Sequence, residues 1–287
     1  RNLLDAIRVP IGVCQAVWIV GRLRPDVVFS KGGHVGFPLV MASWLWRIPV
    51  VAHESDLSPG LANRMSAPFV STLCVNFPET RAKARRVVVT GTPLREQVLS
   101  GERDRGIRWL GFHEQLPILC VVGGSLGAER LNQELRNALS SLGDMVQIVH
   151  VCGASRLDPS LESRAGYRQF EFIGEQWGDV LAASDLVVTR AGANSLCELI
   201  ALRKPHLLVP LTTAASRGDQ IENAQMAERR GYSRVLHEQS LSSESLAEAV
   251  RDMLSSLSHW QEAMRRGETG NGTDRVVQEI SRAAVQN

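Results

Sequence analysis

One pattern limits what this chain can become: a short run of β-branched and apolar residues, then a turn, then a longer helical stretch, repeated from end to end. Runs that short and that apolar suit strands buried on both faces. Such strands are parallel, because the helices that join parallel neighbours cover both sides of the sheet. The pattern predicts an α/β fold of the doubly wound kind. In the first half it predicts a helix over 3–23, strands at 27–30, 50–53, 72–75 and 87–90, and helices at 38–46 and 61–65. In the second half it predicts strands at 118–122, 147–151, 169–173, 186–189 and 206–209. Helices are expected over 128–142 and after Glu175, Ala193 and Gln220.

Between these halves, 91–117 is charged and irregular, broken by Gly101, Gly106 and Gly111. The expected division is a first domain over 1–92, a linker over 93–116 and a second domain over 117–265. A carboxy-terminal helix over 266–287 would pack back on the first domain. The second half makes a complete doubly wound domain. The first opens on a helix and has few strands, so an initial βαβ portion is expected to be missing.

A net charge of only +2 argues against nucleic acid as a partner. The charge is uneven: residues 1–108 carry 15 basic and 8 acidic side chains, the remainder 17 and 22. Five well-separated cysteines without a Cys-x-x-Cys pair read as reduced core residues. No apolar stretch approaches the ~20 residues of a membrane span. The first helix is nevertheless rich in apolar residues beside Arg1, Arg8, Arg22 and Arg24, and Trp44 and Trp46 adjoin Arg47. Core packing and attachment to an anionic lipid surface explain these equally.

The chemistry-bearing residues gather at turns after strands. Val122-Gly123-Gly124-Ser125-Leu126-Gly127 runs from a strand into a helix, where free N–H groups and the helix dipole stabilise phosphate. It matches neither a P-loop nor a dinucleotide fingerprint. It does match Gly-x-Ser-x-Gly, so a serine hydrolase using Ser125 with His150, His206 or His237 is a rival reading. Ser30-Lys31-Gly32-Gly33-His34 repeats the strand-to-helix geometry in the first half. Arg190-Ala191-Gly192-Ala193-Asn194-Ser195 leads to Glu198, which is either a carboxylate for a diol such as ribose or a favourable helix-end charge. His53-Glu54-Ser55-Asp56 ends a strand; its carboxylates orient hydroxyls, bind a metal, or cap the following turn. Asp219 is either an N-cap or part of a polar site.

Taken in order, certain segments resemble the MurG family of bacterial peptidoglycan N-acetylglucosaminyltransferases. They are Pro25-Asp26-Val27-Val28 with Gly32-Gly33, His53 to Asp56 with Pro59-Gly60-Leu61-Ala62-Asn63, and Gly91-Thr92-Pro93-Leu94-Arg95. Beyond the linker they are Gly123 to Ala128, Arg190 to Glu198, and Asp219-Gln220 with Asn223-Ala224. The resemblance implies a GT-B fold, two Rossmann-like domains facing across a cleft, and inverting transfer of GlcNAc from UDP-GlcNAc to undecaprenyl-diphosphate-MurNAc-pentapeptide. Peripheral attachment to the cytoplasmic membrane face is implied, with no metal or other cofactor.

By position, the resemblance places Ser125 at the diphosphate, the Ile173 backbone at uracil, and Glu198 at the ribose. Ala193, Asn194 and Ser195 would lie at diphosphate and ribose, Asp219 and Gln220 at the GlcNAc hydroxyls, and Arg95 and Asp56 elsewhere along the donor. Gly32, Gly33 and His34 would face the acceptor. His53 and Glu54 are the catalytic candidates. His34 stands where some relatives have Tyr, and Asp56 and Asp219 where some have Asn and Gln. The family's opening Gly-Gly-Thr-Gly-Gly-His loop, whose histidine is its favoured base, has no counterpart here, so this polypeptide alone is expected to be inactive. A UDP-GlcNAc epimerase of the same fold and a non-catalytic donor-binding module are the alternatives.

Overall fold

The computed structural model describes residues 2–33, 35–124, 128–213, 216–267 and 270–285, with only the backbone for 2–10. Contacts divide the chain into two units, Arg1–Pro93 with Thr269–Asn287, and Leu94–Glu268.

The first unit opens with α1 (Asn2–Leu23). It continues through β1 (Val28–Ser30), α2 (Gly36–Leu45), β2 (Val50–Glu54), α3 (Leu61–Ser66), β3 (Thr72–Val75) and β4 (Val87–Val89). Its four strands are parallel and lie in chain order. Side chains alternate across the sheet, as the strand period of two requires. Val50, Ala52, Leu73 and Val75 enter one core, shared with Val40 and Ala42 of α2, while Val51 and Cys74 face the other side. That other side is closed by the last helix, α12 (Thr273–Val285), through Val276 and Ala283. A close glycine crossing lets the chain return there. Gly272 N–H donates to the Thr92 carbonyl at 2.8 Å, and a Cβ on Gly272 would lie 2.5 Å from the Gly91 carbonyl.

The stretch read from sequence as a linker belongs instead to the second unit, as α4 (Glu96–Leu99) and α5 (Arg103–Leu110). Its glycines are contact points. A Cβ on Gly106 would lie 2.2 Å from the Asp179 carbonyl, and one on Gly101 2.1 Å from that of Gly178. Two of its arginines are also engaged: Arg105 grips Asp179, and Arg103 grips Asp185.

The rest of the unit comprises β5 (Ile118–Val122), α6 (Glu129–Leu142), β6 (Gln147–Val151), β7 (Tyr167–Phe170), α7 (Trp177–Ala183), β8 (Leu186–Thr189) and α8 (Ala193–Ala201). Then follow β9 (His206–Leu208), α9 (Asp219–Arg229), β10 (Ser233–Val235), α10 (Ser243–Leu254) and α11 (Leu257–Arg266). The six parallel strands run in the order β10-β9-β8-β5-β6-β7. Leu119 and Val121 of β5 face a core with the α6 stripe Leu131, Leu135 and Leu139, whereas Ile118 and Cys120 face the core of α5 and α7. The strand expected at 169–173 sits earlier, because Tyr167 pairs with Ile148 and Phe170 with Val151. Of the cysteines, Cys74, Cys120 and Cys152 are buried as expected, but Cys14 is exposed.

Candidate functional site

In the second unit β5 and β8 are neighbours although β6 and β7 separate them in sequence, so the winding reverses between them. The crevice outside the carboxyl ends at such a reversal is where ligands enter sheets of this kind. Val122 pairs with Thr189, so the two glycine turns that follow start side by side. Gly124 has φ +89°, a conformation that favours glycine. Ser125, next in this turn, lies outside the described residues.

On the β8 side, Gly192 is extended and α8 starts at Ala193. The first bond of that helix runs from Leu196 N–H to the Gly192 carbonyl at 2.9 Å. The N–H groups of Ala193, Asn194 and Ser195 precede it and lie at the positive end of the helix. Ala193 is buried, while the Asn194 and Ser195 side chains are exposed. One turn on, Glu198 Oε1 accepts a hydrogen bond from Arg95 Nη2 at 3.0 Å, across 103 residues of sequence. The Glu198 side chain is 14% exposed, that of Arg95 62%, so the carboxylate is held while one face remains open.

Supporting bonds fix the neighbouring turns. Buried Arg190 donates to the Val209 carbonyl at 3.0 Å and to Glu238 Oε1 at 2.7 Å. Asn223 donates to the Ala191 carbonyl at 3.2 Å. Gln220 Oε1 accepts from Leu211 N–H at 3.2 Å, a bond that steadies the loop. Asp219 opens α9 behind Gly218, whose φ is +89°. Its Oδ1 is buried with no hydrogen-bond partner among the described residues. The Ile173 side chain is buried with Cys120, beyond the end of β7, so it offers only its backbone.

The first unit gathers Lys31, Gly32, Gly33, His53, Glu54 and Asp56 at the carboxyl ends of β1 and β2. Gly32 and Gly33 both have positive φ, and a Cβ on Gly32 would meet the Asn63 amide at 2.7 Å. His34 lies outside the described residues. The two catalytic candidates are both enclosed. His53 is fully buried; Lys31 Nζ lies 3.2 Å from its Nδ1, and its Nε2 is 3.0 Å from the Gly91 carbonyl. An ammonium only donates, so Nδ1 accepts and Nε2 carries the proton. Burial, then the Lys31 charge, lower its pKa to about 4. A ring so enclosed and engaged ties β2 to the turn after β4.

Glu54 is 5% exposed and caps the loop that follows. Its carboxylate accepts from Asp56 N–H at 3.0 Å, Gly60 N–H at 2.9 Å and Asn63 Nδ2 at 2.9 Å. Glu54 and Asp56 are therefore no displayed carboxylate pair. Among the described residues no group of three His, Cys, Asp or Glu is placed to hold a metal ion. The serine-hydrolase reading loses two bases. His150 is buried against Tyr167 and Asn132 with a pKa lowered by burial to about 3, and burial lowers that of His206 to about 4. Sequence reasoning missed Asn63, Asn76 and Arg190 as supports; each is a buried polar side chain serving a loop carbonyl or carboxylate.

Two parallel α/β units, the second with a crevice at its winding reversal where the free N–H groups of α8 and the Glu198 carboxylate meet, define a two-domain α/β protein with a candidate ligand site. Residues 118–280 match the profile of the glycosyltransferase family 28 C-terminal domain, and residues 1–75 that of the N-terminal domain. The Legionella pneumophila (strain Paris) protein named UDP-N-acetylglucosamine--N-acetylmuramyl-(pentapeptide) pyrophosphoryl-undecaprenol N-acetylglucosamine transferase is 45% identical, over 99% of this chain and 79% of its own length. A crystal structure of Acinetobacter baumannii MurG superposes with a TM-score of 0.76 at 25% identity, over 96% of this chain and 79% of that one. The chain belongs to glycosyltransferase family 28 and, within it, to the MurG family. A putative UDP-N-acetylglucosamine 2-epimerase from Listeria monocytogenes has a TM-score of 0.73 over 97% of this chain and 80% of its own. At 14% identity that likeness concerns the fold alone.

Proposed function

We propose that this chain serves the transfer of GlcNAc from UDP-GlcNAc to the MurNAc 4-hydroxyl of undecaprenyl-diphosphate-MurNAc-pentapeptide, with inversion at the anomeric carbon. The observation that carries this reading is the meeting of the α8 amino end and the Arg95–Glu198 pair at the β5/β8 reversal, in a member of this family. Glu198 would accept both ribose hydroxyls, with Arg95 fixing its orientation. The N–H groups of Ala193, Asn194 and Ser195, with the Gly124–Ser125 turn, would face the diphosphate, where negative charge grows as UDP departs. The Ile173 backbone would meet uracil, and Asp219 Oδ1 with the Gln220 amide nitrogen the GlcNAc hydroxyls. Asp56 would lie elsewhere along the donor, while the Gly32–Gly33 turn of the first unit is proposed to face the acceptor. Proton removal falls to a group other than His53 or Glu54.

The membrane-borne acceptor gives the exposed apolar residues of α1 and α2 a use. Trp18 is 66% exposed, Leu23 71% and Trp44 51%, with Arg22 over the Trp18 ring and Arg24 over that of Trp46. Among the described residues no helix is long and apolar enough to cross a membrane. A peripheral, interfacial attachment is the proposed arrangement.

The test is transfer of labelled GlcNAc from UDP-GlcNAc to the lipid-linked acceptor, in the chain extended by the family's Gly-Gly-Thr-Gly-Gly-His strand and loop. Label in the acceptor supports the proposal. Donor binding with release of UDP-ManNAc would point to the epimerase, and binding without any turnover to a donor-holding module.

A further inference from the structure

Three buried polar side chains of the second unit, Asn132 of α6, His150 of β6 and Tyr167 of β7, form a chain of hydrogen bonds apart from the residues of the crevice. The bonds run in one direction. Asn132 Nδ2 donates to the Cys152 carbonyl at 2.8 Å, which leaves Oδ1 to accept from His150 Nε2 at 3.0 Å. With its proton on Nε2, the ring accepts at Nδ1 from the Tyr167 hydroxyl at 2.8 Å. Burial, then the Arg136 charge, lowers the His150 pKa to about 3, so the ring keeps a single proton. The Asn132 amide is thereby held in one orientation.

Asn132 lies in the first turn of α6. Its N–H makes the first bond of that helix, to the Ala128 carbonyl at 2.8 Å, so the N–H groups of Glu129, Arg130 and Leu131 precede the ladder at the positive end. Cys152 follows β6 at the carboxyl end of the sheet, where Val151 pairs with Val122 of β5. The Asn132 bond therefore fastens the amino end of α6 to the crevice end of the sheet. The apolar stripe Leu131, Leu135 and Leu139 presses the helix onto the sheet, but apolar contact is non-directional and sets its slide and rotation only loosely. Directed hydrogen bonds set both.

We propose that Asn132, oriented by His150, is a positioning residue that sets the α6 amino end against the diphosphate of the donor. The proposal rests on the donor reading above and adds how that end of the site is held. Asn132 acts through the backbone N–H groups and not by touching the donor. Its effect falls on the diphosphate, because the proposed partners of the uridine lie after β7, at Ile173, and on α8, at Glu198.

The experiment is calorimetric titration of UDP and of uridine into this chain and into N132A, H150L, H150Q and L135A. The unaltered chain should prefer UDP. N132A should weaken UDP about tenfold and leave uridine unchanged. H150L should weaken UDP to a smaller degree, and H150Q, which keeps an N–H for Asn132 Oδ1, should restore it. L135A opens a cavity beneath α6 and should lower Tm while keeping the preference for UDP. Equal losses of UDP and uridine in N132A, or a preference reduced as far in L135A, would make the contact general support of the fold and overturn the proposal. Equal UDP affinity in H150L and H150Q overturns it too, and that comparison stands even where N132A does not fold. Tight UDP binding by N132A overturns the proposal alone; no UDP binding by the unaltered chain overturns the donor reading with it.

Discussion

Replacing Glu54 separates a loop-holding carboxylate from a catalytic one. Its carboxylate is buried and accepts three hydrogen bonds, two on Oε2 and one on Oε1. In Glu54→Gln the carbonyl takes the Oε2 position and keeps the bonds from Gly60 and Asn63, while the amide NH2 opposes the Asp56 N–H. One charge-assisted bond is lost, worth about 1.5–3 kcal/mol. Glu54→Ala loses all three. Asn63 keeps its bond to the His53 carbonyl, and the partly exposed Asp56 and Gly60 N–H groups can turn to water, so the cost is roughly 3–5 kcal/mol. Guanidinium unfolding followed through Trp18, Trp44 and Trp46 of the first unit should rank wild type above Gln above Ala. Hydrogen exchange should show residues 55–60 losing protection in the same order. A Gln variant as stable as wild type whose transfer falls a thousandfold would instead make Glu54 a participant in the chemistry.

Acid should destabilise the fold through its enclosed histidines. His53, His150 and His206 have folded pKa values near 4, 3 and 4 against an ordinary 6.5. The unfolded chain binds these protons first, so their contribution is complete above pH 6.5 and is lost as pH falls toward 4. The loss is on the order of 3 kcal/mol for each, and urea titrations across this range should show it; a flat profile contradicts neutral buried rings. Gly106→Ala forces a Cβ against the Asp179 carbonyl and should cost the second unit about 1–3 kcal/mol, read as a lowered Tm. An unchanged Tm would mean that α5 does not pack on α7. Arg190→Ala leaves the half-buried Glu238 without its partner and should cost about 1.5–3 kcal/mol, with Glu238→Gln in the same chain recovering part of it. No recovery would argue that the pair is not coupled.

The parallel strands were legible because burial on both faces leaves unbroken apolar runs, as in Ile118–Val122 and Leu186–Thr189. The edge strand Ser233–Val235 was not, since a three-residue run with an arginine at its centre has no such signature. The segment at 93–116 misled for a related reason. Gly101 and Gly106 mark close helix contacts and two of its arginines are ion-paired to Asp179 and Asp185, which a composition reading cannot tell from a solvated loop. In the crevice, Glu198 is legible from its place one turn into a helix after a glycine turn, and Arg95 only from family position. That they touch depends on the fold bringing Arg95 of the α4 start to α8. His53 and Glu54 stand at a strand end of the kind that collects active sites, but the burial of both, the two ring contacts of His53 and the three bonds accepted by Glu54 are not written in the motif.

Calorimetric titration of UDP into this chain and into Glu198→Ala, each repeated with 2′,3′-dideoxy-UDP, reads the crevice itself. Expected is one-to-one binding of UDP, weakened about thirtyfold or more both by the Ala variant and by loss of the two hydroxyls, as two charge-assisted bonds require. The two changes should not add, because they remove the same bonds. No uptake of UDP, or equal affinity of wild type and variant for both nucleotides, would contradict a ribose held by Glu198 at the β5/β8 reversal.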